Sequence, residues 1–340
     1  MRPSLVILST GLVSSVGLSA PATCAAIRAG VANPSETRFI NSAGEWIMAH
    51  QVVLDRPVWG RARLVRMAAM AITECLANVP RSDWSLIPLL LCVAERERPG
   101  RLAGLDTELF AEIQRELAVE FAPASSIIPH GRVSAHVALI HARTLLGNSS
   151  TSLVLIAATD SLLSWPTLSV YERNERLLTA ENSNGFMPGE GAGALLLGTE
   201  RAPPQLACVG LGLGHEPAHI DSGEPLRGDG LAQAIGAALA EAGCAIHDLD
   251  FRITDLSGEQ YFFKEASLAV ARLLRVRKEE FDIWHAAQCL GETGALAGLV
   301  AIAVTDAACR KAYAPGPGVL YHAANDCTRR AAAVFRFETA

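Results

Sequence analysis

The chain has 340 residues, 50% of them hydrophobic and only 19% charged, with a formal net charge of −6. That is enough apolar material for a large core or for two fused sub-domains, and the acidic balance argues against nucleic acid or an anionic membrane surface as the main partner. The cysteines (24, 75, 92, 208, 244, 289, 309 and 327) are scattered through apolar segments with no CxxC pair, which suits small buried hydrophobes in a reducing compartment better than disulfides or zinc ligands.

The opening stretch MRPSLVILSTGLVSSVGLSAPATC imitates a secretory leader. Ser9, Thr10, Gly11, Ser14, Ser15 and Gly17 interrupt its apolar run, so it is expected to be folded structure: a short strand Leu5 to Ser9, then a helix Ala20 to Ala29. No other segment is long and apolar enough to span a bilayer, and a cytoplasmic protein is expected. Residues 31 to 58 read as irregular, with strand character at His50 to Leu54. A helix follows from Arg61 to Asn78, with Leu64, Met67, Ala68, Ala71 and Cys75 spaced to form one buried stripe. Leu89 to Ala94 reads as a central strand and Glu108 to Glu116 as a helix. Pro129 and Gly131 then turn the chain into a buried helix from Val133 to Leu146, closed by Gly147. Thr151 to Ala158 is a strand apolar on both faces.

The second part repeats the rhythm. Strands are expected at Ala192 to Leu197, Ala207 to Leu211 and Phe251 to Asp255, with helices at Gly230 to Gly243, Phe262 to Leu274 and from Thr293. Val319 to Ala323 and Ala331 to Phe337 close the chain as strands. Alternating strands and helices, twice over, argue for a layered α/β fold.

One stretch is more specific. In ENSNGFMPGEGAGALLLG, residues 181 to 198, Gly185, Gly189, Gly191 and Gly193 allow sharp turns and close backbone approach, with Glu190 among them and an apolar run behind. GF-x-x-GEGAGALLL resembles the loop and strand that open the second half of β-ketoacyl synthases, in the thiolase superfamily. The opening LVILSTGLVSSVG is similar to the start of that family. The resemblance implies a thiolase-like fold: two similar halves, each with a five-stranded mixed sheet, and helices sandwiched between the sheets. The expected division is an N-terminal half, residues 1–165, and a C-terminal half, residues 185–340, in one compact unit.

A ketosynthase needs a cysteine thiolate at a helix N-terminus and two histidines. Counting back from Gly147 places the nucleophile position at His130; a register two residues later gives Arg132, and no cysteine lies between Cys92 and Cys208. Asp255 falls at the first family histidine, with Ser257 at the neighbouring threonine. In GETGALAG, where Gly291 and Gly294 match the family pattern, Glu292 replaces the second histidine. Ala287 stands for the usual lysine, and the last loop reads AANDCTRR, with Asn325, Asp326 and Arg329. The resemblance therefore implies a scaffold without its Cys-His-His residues. An ionised carboxylate at Asp255 or Glu292 would repel a developing oxyanion rather than donate to it.

Other readings use the same residues. His130, Asp255 and Glu292 could converge as a rebuilt acid–base or metal site, and Cys289, near Glu292 and His285, could be a displaced nucleophile. His136 and His141 are expected as core residues, and His215 and His219 as part of a solvated loop. No cofactor and no metal are expected. The resemblance implies two non-catalytic roles: a chain-length-factor-like subunit, or a ketosynthase-like accessory to type VI secretion effectors. The competing function is an active acyl-transferring 3-oxoacyl-carrier-protein synthase. Expected partners are a second copy or another ketosynthase-like chain, paired through Thr151 to Ala158, together with a secreted effector or an acyl carrier protein.

Overall fold

The computed structural model describes residues 5–148, 151–199 and 202–339; Met1 to Ser4, the basic start of the leader-like stretch, lie outside them. In the first half, β1 (Leu5–Val13), α1 (Ala20–Arg28), the hairpin β2 (Ser35–Ile40) and β3 (Trp46–Ala49), and α2 (Gly60–Cys75) precede β4 (Leu89–Cys92). Then come α3 (Leu109–Leu117), β5 (Ser126–Ile128), α4 (Ser134–Leu146), β6 (Val154–Ser161), α5 (Trp165–Arg173) and β7 (Glu190–Gly198). The second half runs β8 (Gln205–His215), α6 (Asp229–Ala242), β9 (Phe251–Thr254), α7 (Gln260–Leu273), β10 (Ile283–His285), α8 (Ala287–Leu290), α9 (Ala297–Arg310), β11 (Gly318–Ala324) and β12 (Arg329–Glu338).

The main sheet has the order β10-β9-β11-β12-β8-β1-β7-β6-β4-β5. Each half thus contributes five strands in one and the same order, with the same mixture of parallel and antiparallel pairs. The halves join edge to edge where Leu5, Val6 and Ile7 pair with Cys208, Ala207 and Leu206. This is the thiolase-like architecture, with the two five-stranded sheets continuous through β1 and β8.

Strand alternation builds the layers, because successive side chains point to opposite faces. On β6, Val154, Ile156 and Ala158 enter the central core with α4 and α9, while Leu155 and Ala157 pack outward with α2 and α3. On β11, Val319, Tyr321 and Ala323 face the same central core, and Leu320 faces α6 and α7. Both α4 and α9 touch strands of both halves, so the pair is sandwiched as expected. The outer helices sit unusually close. A Cβ at Gly210, Gly212 or Gly214 of β8 would lie about 2 Å from the carbonyl oxygens of Ala238, Ala234 or Gly230 in α6, so the GLGLG run lets helix backbone rest on strand backbone.

Two expectations change. The strand Glu190–Gly198, assigned from the sequence to residues 185–340, pairs with β1 and β6 and belongs to the first half. The stretch Thr151 to Ala158 is not a pairing edge: β6 is hydrogen-bonded to β7 on one side and β4 on the other. Apolar residues on both faces mark a central strand, and here it is covered by its own chain. Among the described residues the sheet ends at β5 and β10. The region 31 to 58 is also more ordered than its polar sequence suggests, because the β2–β3 hairpin packs Phe39 and Ile47 against Leu162, Leu168, Tyr171, Leu177 and Phe186.

Candidate functional site

The two central helices begin alike. Gly131 (φ 54°) and Gly294 (φ 57°) hold left-handed backbone, and each opens a 3-10 turn leading into α4 or α9. The turn ahead of α4 rotates the sequence relative to a simple helix start. Arg132, and not His130, therefore points into the space between the halves.

The Arg132 guanidinium donates to Asp326 Oδ1 at 2.6 Å and to Glu292 Oε2 at 3.2 Å, and its Nε lies 3.8 Å from Asp255 Oδ2. It stacks over the Phe262 ring at 4.4 Å. Two further arginines complete the cluster. Arg176 binds Glu259 through paired bonds of 2.6 and 2.8 Å and also donates to Asp326 at 2.7 Å. Arg98 grips Glu95 at 2.7 and 3.0 Å and Asp160 at 2.8 Å. All three arginines are buried. The cavity left among Glu95, Arg98, Arg132, Arg176, Glu259 and Asp326 is about 10 Å³, and a second beside Asp255, Ala287 and Glu292 is also about 10 Å³. Each is the size of roughly one water, against several hundred Å³ for a small-molecule pocket.

Six carboxylates share three guanidinium groups, and burial competes with the arginines over the protonation of several of them. Desolvation pushes Asp255 up to about 7 against the pull of Arg132, and raises Glu259 and Asp160 as well. Asp326 differs: burial works to raise it, but Arg132 and Arg176 together hold it well below the usual carboxylate range.

Backbone donors at the two helix starts are occupied from within. Val133 N–H donates to Asn325 Oδ1, His130 N–H to Ser134 Oγ and Gly131 N–H to Val93 O. At the other start, Gly294 N–H donates to Glu292 Oε1 and Ala295 N–H to Asp160 Oδ2, both at 2.8 Å. An oxyanion hole requires such donors to be aimed at open space, and these are not. The glycine motif secures the arrangement: Gly189 N–H donates to Glu292 O, Glu292 N–H donates to Met187 O, and a Cβ at Gly189 would meet Leu290 O at 2.2 Å. Buried Glu190 accepts from Arg63, Val52 N–H and Ser161. A Cβ at Gly185 or Gly191 would likewise meet the backbone of Leu177 at 2.5 Å or Val13 at 2.4 Å, and one at Gly193 the Leu296 side chain at 2.9 Å. Gly291 (φ 69°) lets the backbone pass under Met187.

The positions singled out in the sequence therefore separate. Asp255 and Glu292 do meet, across Arg132. His130 does not join them: its ring contacts Arg329, beside Glu97, and burial and Arg329 push the imidazole down from its usual value. The rebuilt His-Asp-Glu triad is thus not formed, and no group of three His, Cys, Asp or Glu suited to a metal occurs among the described residues. Cys289 is buried on α8 with its thiol pushed up by desolvation, which opposes thiolate chemistry. His136 is a core residue stacked on Tyr321 at 4.5 Å; His141 faces solvent instead, because it lies on the outer side of α4. Arg98 and Arg176 and their partners Glu95, Asp160 and Glu259 carried no motif. Only tertiary pairing reveals them.

With site and fold in view, the chain has the ketosynthase form of the thiolase-like fold. No protein-family model matches it, and no curated protein does. Solved structures do. The ishigamide ketosynthase/chain length factor aligns with a TM-score of 0.79 and 17% identity, covering 99% of this chain and 100% of that one. A ketosynthase (ApeO) in complex with its chain length factor (ApeC) from Xenorhabdus doucetiae gives 0.80 and 14%, covering 99% and 98%. A β-ketoacyl synthase from Burkholderia phymatum gives 0.73 and 16%, covering 99% and 100%. At these identities the likeness establishes the fold.

Proposed function

We propose that this chain is a non-condensing ketosynthase-fold subunit that acts by association. The observation that carries the reading is the Arg132 guanidinium held between Glu292, Asp326 and Asp255, at positions that the resemblance aligns with the ketosynthase site. The position has no thiol, the cavity is too small for an acyl chain, and the donors around it are spent. Maintaining three buried arginines with six carboxylates costs desolvation, which is consistent with a site kept closed for structure. Of the two roles implied by the resemblance, a chain-length-factor-like partner of a ketosynthase is favoured, because neighbours of the same fold are named as ketosynthase and chain length factor pairs. The pairing edge in this reading is β5, Ser126–Ile128, which ends the sheet with no strand on its outer side among the described residues. A secretion-effector accessory is the second role the same closed scaffold would serve.

The test is a condensation assay of the purified chain with acyl and malonyl carrier-protein thioesters, read by mass spectrometry of products. No condensed product is expected. Turnover that disappears on Glu292→Gln, His130→Ala or Cys289→Ser would restore the enzymatic reading.

A further inference from the structure

An open groove of about 800 Å³ runs between the β2–β3 turn and α5, far from the closed site in chemistry and lined by a different set of residues. Two large apolar side chains, Ile40 and Trp165, line it among polar residues that include Asn41, Ser42, Ser169 and Asn182. Ile40 and Trp165 are 44% and 47% exposed, and across the hairpin from Ile40 stands Trp46, 48% exposed. Its rim is acidic, with Glu45, Glu172, Glu175 and Glu181 against the single cation Arg173. Those three net negative charges are half of the −6 carried by the whole chain.

The groove is preformed. Ser42 N–H donates to Glu172, tying the turn to α5, and Asn182 Nδ2 donates to Glu175 O at 2.7 Å and Leu177 O at 3.0 Å. Trp165 starts α5 behind the Ser164 cap and stacks on Phe39 with centroids 6.3 Å apart. Two features oppose stability. Glu172 and Glu175 lie at the C-terminal end of α5, where the helix dipole already favours cations. Glu175 also holds a left-handed φ of 54°, where glycine or asparagine is the easier residue. Glu172 answers the Ser42 N–H, but Glu175 sits where the backbone favours glycine or asparagine and the helix end favours a cation.

We infer that this groove docks a cationic amphipathic helical segment of a partner protein. Its apolar side chains would seat on the exposed Trp165 and Ile40, while its Lys and Arg groups reach the carboxylate rim. A guanidinium can also stack on an exposed indole. The inference stands whether or not the chain proves to condense acyl groups.

The test uses fluorescence anisotropy of a labelled Leu/Lys amphipathic helix of about 16 residues, long enough for four turns, titrated with the full chain. A Leu/Glu peptide of the same pattern is the control. The Leu/Lys peptide is expected to bind, the Leu/Glu peptide not, and added salt to weaken the complex. Glu45→Lys with Glu181→Lys, both exposed and outside the packed core, should weaken binding about tenfold, as expected for turning two partly solvated attractions into repulsions. Trp165→Ala should weaken it too. Equal binding of both peptides, or an unchanged affinity in the folded E45K/E181K chain, overturns the proposal.

Discussion

Replacing Arg132 by methionine keeps a long side chain against Phe262 but removes the cation from a buried cluster. The guanidinium faces Asp326 at 2.6 Å, Glu292 at 3.2 Å and Asp255 at 3.8 Å. Breaking a buried ion pair typically costs about 3–5 kcal/mol, because the partner charge is left uncompensated. Here each carboxylate retains help: Asp326 from Arg176, Glu292 from Ser257 and Gly294 N–H, and Asp255 from Ala324 N–H. The cost should therefore fall near the lower end, about 3 kcal/mol near neutral pH. Removing the cation also raises the folded-state pKa of Asp255 and Asp326, both of which Arg132 pulls down. A carboxyl whose folded pKa exceeds its unfolded value takes up a proton on folding, so its penalty shrinks as the pH falls. Urea denaturation of wild type and R132M, compared at unchanged m, should show the deficit at about pH 8 and a smaller one at about pH 5. A deficit under about 1 kcal/mol at the higher pH, or one that widens on acidification, would refute the view that Arg132 is the ion holding this cluster together.

Three further outcomes are expected. Asp255, pushed up to about 7 by burial, destabilises the wild-type fold as the pH rises from its unfolded value near 4 through about 7; Asp255→Asn should therefore gain on wild type between about pH 5 and pH 8 in paired denaturation curves. Gly212→Ala should cost about 3 kcal/mol in the same assay, since its Cβ would stand 2.0 Å from Ala234 O, a backbone atom of α6 that cannot swing aside. Ile127→Pro on β5 should abolish association with a second ketosynthase-fold chain in sedimentation velocity while leaving the melting curve nearly intact, because an edge strand tolerates the loss of a donor that faces away from its own sheet; association that survives it would place the interface elsewhere.

How far the sequence led is visible in particular segments. The inner strands are legible because uninterrupted apolar runs such as Leu89–Cys92 and Ala192–Leu197 have few other homes. Their order is not: nothing local tells Val154–Ser161 that β7 and β4 will flank it, so a strand suited to the sheet centre also reads as a pairing edge. The short strands Ser126–Ile128 and Ile283–His285 and the polar hairpin strand SETRFI carry too little periodicity to stand out. Helix α5 did carry a signal, Ser164 followed by Pro166 near the first turn. At the site, GETGALAG and AANDCTRR carry the departures from the ketosynthase pattern on which the proposed non-condensing role rests. The two-residue ambiguity between His130 and Arg132 could not be settled there, because it turns on the left-handed Gly131 and the 3-10 turn after it. Which arginine meets which acid is a purely tertiary fact.

The central claim is that the Arg132 cluster leaves no acceptor for an acyl group, and intact-mass measurement after incubation with acyl-CoA and acyl carrier thioesters tests it most directly. An unchanged mass, in wild type and in E292Q alike, is the predicted result. A stable acyl adduct, mapped by peptide mass to Cys289, His130 or any other residue lining the closed cavities, would contradict it.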